Sequence, residues 1–124
     1  MATDRVISTV ATAAINVAKN GTRALIAAQG ANTQIWILGC WLSGSAGNGT
    51  MILIDGGSNA MTGTITLTNG VDDKFILPLA PNQKVPWFKC ATNVAFNATL
   101  SANMDLDGTI VYAVAPIYAA VTVP

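Results

Sequence analysis

The sequence predicts an all-β fold, a sandwich or barrel of eight antiparallel strands between residues 22 and 115. Three observations carry this expectation. Short apolar segments alternate with turn signals about every ten residues, the spacing of small β-domains. Several segments have a period of two, as a half-buried strand requires. The chain has no Glu, a favoured helix former, and is rich in Thr and Val, which suit strands.

The first strand is "TRALIAAQ" (22–29), closed by Gly30 and Asn32. "TQIWILGCWLS" (33–43) follows, and "SAGNG" (45–49) turns the chain into "TMILID" (50–55). After the turn "GGSNAM" comes "GTITLT" (63–68), with Ile65 and Leu67 on one face and Thr64, Thr66 and Thr68 on the other. The Asn-Gly of "NGVDD" (69–73) heads the next turn. "KFILPLA" (74–80) sets Phe75, Leu77 and Leu79 on one face. Pro78 cannot donate a ladder hydrogen bond, so this strand is bent or lies at an edge. The loop "APNQKVP" leads to the short strand "WFKC" (87–90). "VAFNATLSA" (94–102) points Val94, Phe96, Ala98 and Leu100 inward; "NMDLDG" turns, and "TIVYAVA" (109–115) is last.

The ends differ from this middle. Residues 1–21 read as an N-terminal arm, ambiguous between helical and strand periods, and 116–124 as an apolar tail bracketed by prolines. Both are expected to dock on a neighbour; an extra edge strand on the same sandwich is the alternative for such a segment.

The strand at 33–43 is apolar on both parities. Ile35, Ile37 and Trp41 have one parity, and Trp36, Leu38, Cys40 and Leu42 the other. A sheet in a two-layer sandwich buries one face and wets the other. One set must therefore be covered by a tail, a loop or another subunit. Trp36 with Leu38, or Ile37 with Trp41, are the candidate oligomer-interface residues.

The composition points the same way. Charged residues make up 10% of the chain, against roughly 25% for a typical soluble domain. The net charge is zero, so electrostatic capture of nucleic acid or anionic lipid is not expected. The longest apolar run, 35–42, is too short for a membrane helix, which needs about 20 residues. No secretory signal pattern is read at the start.

Chemistry is sparsely provided for. The chain has no His, hence no usual general base and no commonest metal ligand. "SGS" (43–45) lacks the context of a nucleophile elbow. "DLDG" (105–108) reads as a turn carrying two acids rather than half a calcium loop, which needs a distal Glu. The carboxylates of "DGG" (55–57) and "VDD" (71–73) read as solvated. Cys40 and Cys90 have no metal-type spacing and read as buried free thiols. No enzyme activity and no cofactor are expected. The tryptophans read as core and interface packing, with a sugar-stacking platform as the alternative; Trp36 and Trp41, of opposite parity, do not make one such platform, and Trp87 and Phe88 are the candidate loop contacts for it.

The segments "ALIAAQG", "ILGCWLSGSA", "LPLAPNQKVPWFKC" and "FNATLSANMDLDGTIVYAV" resemble the small jelly-roll proteins that decorate the heads of tailed bacteriophages. The resemblance spans residues 22–115 and implies an eight-stranded antiparallel jelly roll with N- and C-terminal extensions. It also implies a homotrimer on the outer face of a virion, with the major capsid protein as partner, assembled in the host cytoplasm. No catalytic site carries over. Two alternatives remain: a fibre or receptor-binding head that contacts a host surface glycan, and a small shell-forming capsid subunit.

Overall fold

The computed structural model of the chain describes residues 9–18, 21–45, 48–67, 74–80, 85–101 and 104–116. These residues form nine strands and no helix. The strands are β1 (Thr9–Ala18), β2 (Gly21–Ile26), β3 (Thr33–Ser45), β4 (Gly49–Asp55), β5 (Ile65–Leu67), β6 (Lys74–Leu77), β7 (Phe88–Lys89), β8 (Phe96–Leu100) and β9 (Asp105–Pro116). One sheet, A, has the order β1-β9-β3-β6, with β7 also paired to β3. The other, B, has the order β2-β8-β4-β5. All the strand pairings are antiparallel.

The two sheets form a β-sandwich around one core. Sheet A contributes Ile15, Ile35, Ile37, Leu42, Leu106 and Ile110, and sheet B contributes Ile26, Met51, Leu53, Leu67, Phe96 and Leu100. Burial of each such side chain is favourable by about 1.5–3 kcal/mol, so the paired faces dominate the stability. The period of two read in the sequence is the cause of this arrangement. In β8, Phe96, Ala98 and Leu100 are buried while Asn97 and Thr99 are half-exposed. In "GTITLT", Leu67 is buried and Ile65 packs on the core, while Thr66 is exposed.

Three expectations are corrected. First, the strands number nine, not eight. Residues 9–18, read as part of an arm, are an edge strand of sheet A that pairs with β9 over ten consecutive residues. Ile15 enters the core, and Ala13 and Val17 pack against it. Alternating Ala, Thr and Val gave no sharp period, so the long partner β9 decides the conformation. The rest of the segment read as an arm, and the tail beyond Pro116, lie outside the described residues.

Second, "DLDG" is not a turn but the start of β9, where Asp105–Gly108 pair with residues 42–45 of β3. Gly108 makes this possible. Its φ is +148°, and a Cβ there would overlap the Trp41 carbonyl oxygen and lie 2.8 Å from the carbonyl carbon. Gly108→Ala should therefore lower stability by more than about 2 kcal/mol, read as a fall in Tm on thermal unfolding. An unchanged Tm would contradict this close approach.

Third, the carboxylate of Asp55 is not solvated. It is 2% exposed, at the end of β4. It accepts hydrogen bonds from the backbone N–H of Gly57, Asn59 and Ala91, and from the Asn59 side chain. Burial pushes its pKa up, but these bonds outweigh that and hold it below the ordinary carboxylate value. Asp55 thus joins the turn after β4 to the segment before β8.

Candidate interaction surface

The apolar residues on both parities of β3 have a local explanation. The register of β3 against β9 shifts between Ile37 and Gly39. This bulge adds one residue and reverses the parity beyond it. Ile35 and Ile37 face the core before the bulge, and Cys40 and Leu42 face it after. Trp36, Leu38 and Trp41 are left on the outer face. The edge partner of β3 is interrupted at the same place. Ala80 N–H donates to the Leu38 carbonyl and Trp87 N–H to that of Ile37, so the connection from β6 to β7 leaves and returns there.

The outer face of sheet A reads across its strands in rows. One row is Val10, Ala113, Trp36 and Lys89. Another is Ala14, Thr109, Trp41 and Ile76. Beyond that row, Asn16, Asp107, Ser43 and Lys74 align, so charge lies at Lys89 in the first row and at Asp107 and Lys74 here. The Lys89 ammonium lies 4.7 Å from the Trp36 ring centre, and that of Lys74 lies 5.9 Å from the Trp41 ring centre. Both are in cation–π range.

Part of the cover for this face comes from the chain itself. Leu38 is 4% exposed because Ala80, Ala113, Trp36 and Val111 pack around it. Elsewhere on this face large apolar side chains stay exposed among the described residues. Six large apolar side chains are exposed among the described residues: Val10, Trp41, Ile76, Leu79, Val85 and Trp87. Val10, Trp41 and Ile76 lie on this face, and the other three lie in the connection along its edge. The outer face of sheet B has none of them. It presents Thr22, Thr99, Asn97, Thr50 and Thr66 beside the half-buried Ile52 and Ile54, with Thr22 and Thr99 hydrogen-bonded at 2.9 Å.

The residues expected at contacts are thus divided. Trp41 is exposed, Trp36 is half-buried, and both face outward. Ile37 is fully buried in the core and is removed from the surface. Leu38 faces outward but is already covered. Trp87 is exposed, with its indole N–H donated to the Pro78 carbonyl at 2.7 Å. Phe88 is half-buried in β7 and packs against the core. The bulge also brings Trp36 and Trp41 to one face, against the parity expectation. Ile76, Leu79, Val85 and Val10 were missed. Ile76 was legible, because Phe75 and Leu77 inward place Ile76 outward. Alternation puts Leu79 on one face with Phe75 and Leu77, but the strand ends at Leu77 and Leu79, after Pro78, is exposed.

Both cysteines are free and buried. Burial pushes the Cys40 thiol up to about 11, against a lowering hydrogen bond from the Leu77 backbone. Burial and then the charge of Asp55 push Cys90 up to about 12. Since the thiolate is the reactive form, the native protein should resist a thiol reagent at neutral pH and react at both sites once unfolded. Rapid labelling of the native chain would contradict this placement.

Comparison of the chain with protein-family models, with curated proteins and with solved structures finds no match.

Proposed function

We propose that this chain is a virion structural protein that decorates the outer surface of a phage head as a homo-oligomer, a trimer as the resemblance implies. The observation that carries the reading is the concentration of exposed large apolar side chains on one sheet face and its edge. An apolar patch of this kind on a charge-poor domain marks a surface to be covered by protein. The partners are other copies of the chain and the major capsid protein.

The strand order supports a jelly roll as the finer description of the sandwich. β1 pairs with β9, β2 with β8, β3 with β6 and β4 with β5. These are four successive pairs of one long antiparallel ribbon. Folding it over on itself adds the pairs β3 with β9 and β4 with β8, leaving β7 as an insertion. Two four-stranded sheets wound this way are the jelly-roll arrangement.

The mechanism is mass action. A protein that binds assembled capsomers better than free ones stabilises the lattice. At about 25 cal/mol per Å², a patch of about 800 Å² per partner gives a gross term of about 20 kcal/mol from one partner's side, before ordering and association costs are subtracted. The test is imaging of heads of the encoding phage, with the gene intact and deleted. Density on the outer surface that is lost with the gene supports the reading; identical heads refute it.

A second reading, a receptor-binding head for a surface glycan, is favoured by one observation. Trp36 and Trp41 share a face, with Trp87 exposed at its edge. Binding of the purified protein to immobilised glycans, lost on Trp41→Ala, would support it over the first.

A further inference from the structure

The four outermost strands of the two sheets are guarded very unequally. A sheet edge presents unpaired N–H and C=O groups that template pairing with another chain, and proteins blunt it with short strands, Lys, Pro or bulges. β5 has three residues. β6 has four, begins at Lys74 and is followed by Pro78, and beside it β7 has two, including Lys89. β2 has six, carries Arg23 and shifts register between Ala24 and Ile26. β1 has none of these devices. It runs for ten residues, "TVATAAINVA", with no charge, no proline and no break in register against β9. Among the described residues no strand pairs with its other edge.

We propose that the free edge of β1 pairs main chain to main chain with β1 of a second copy, in the antiparallel sense. The strand is complementary to itself. Pairing must keep core-facing residues on the core side, so paired residue numbers share parity. Two central registers do this. In one, Ala13 meets its own copy, Thr12 meets Ala14, and Ala11 meets Ile15. In the other, Ala14 lies on the axis, Ala13 meets Ile15, and Thr12 meets Asn16. Either puts an alanine at the two-fold, where close approach is needed, and sets no charges opposite each other. With zero net charge, the copies have no long-range repulsion to overcome. The contact joins two A sheets into one and makes their apolar outer faces continuous. An isologous contact of this kind closes at two copies and does not grow a fibre.

The proposal keeps the self-association of the preceding reading but sets a two-fold dimer, made through backbone, in place of a trimer made through the Trp41 face, so the two are separable. In an antiparallel strand, alternate N–H groups point to the partner and away from it. Hydrogen exchange on the full chain should show every second amide of β1 exchanging fast in dilute solution. Those amides should slow by more than about tenfold as concentration rises and sedimentation shows a dimer. Thr12→Pro and Ala13→Pro complete the test. One removes an N–H bonded to β9 and should damage the fold. The other removes an outward N–H and should leave the circular dichroism native and the chain monomeric. A monomer at every concentration, a folded proline variant that still dimerises, or an oligomer in which alternate amides stay fast would each overturn the pairing. In the last case, a trimer with fast alternate amides leaves the sheet-face reading standing.

Discussion

Asp55→Ala should cost about 3–5 kcal/mol of folding free energy, measured by denaturant unfolding. The substitution removes the acceptor for three backbone N–H groups, those of Gly57, Asn59 and Ala91, and for the Asn59 amide. Hydrogen bonds to a charged group are worth about 1.5–3 kcal/mol each, and buried donors left without a partner carry their desolvation penalty. Against a total of about 5–15 kcal/mol, the loss is a large fraction of the stability. Asp55→Asn keeps the shape and one acceptor oxygen, so it should retain part of what alanine loses.

The same contacts fix a pH signature. The pKa of Asp55 is lowered on folding, so the folded state binds fewer protons than the unfolded state near that pKa. Its contribution is complete above the unfolded value of about 4 and is lost as pH falls through the lower folded value. The acid limb of the stability profile should flatten in Asp55→Ala. A limb identical to that of the wild type would show that Asp55 is not held as described.

How much of this was legible follows from which interactions are local. The eight strands of the middle were readable because turn residues and a period of two are properties of adjacent residues. β1 was not, because its Ala, Thr and Val are compatible with several conformations and only β9 selects one. The extent of β9 was hidden for the same reason: Asp105–Gly108 carry turn chemistry, but a long β3 offers partners that outweigh it. The candidate surface was half readable. Excess apolar residues on β3 were visible, yet their sidedness turned on one bulged residue that no local rule places. Asp55 was misread although its bonds to Gly57 and Asn59 are local turn chemistry, because the segment at Ala91 that buries it lies 36 residues away.

Placing Asp at Ile37 and, separately, at Trp41 should split folding from association. Ile37 is fully buried among apolar residues of both sheets. A carboxylate there has no partner, and either its charge or its unbonded neutral form costs several kcal/mol, enough to unfold a marginal domain. Trp41 is 42% exposed on the outer face of sheet A, opposite Ile76. Its aspartate variant loses a cation–π contact with Lys74, about 0.5–1 kcal/mol, and sets an exposed carboxylate near the same cation. The fold should survive. A buried tryptophan at the centre of an interface commonly carries about 2 kcal/mol or more, so association through this face should weaken more than tenfold. Circular dichroism and sedimentation on both variants read the two outcomes. If Trp41→Asp assembles as the wild type does, this apolar face is not the contact. If Ile37→Asp folds, the bulge does not reverse the parity of β3 and the assignment of its faces is wrong.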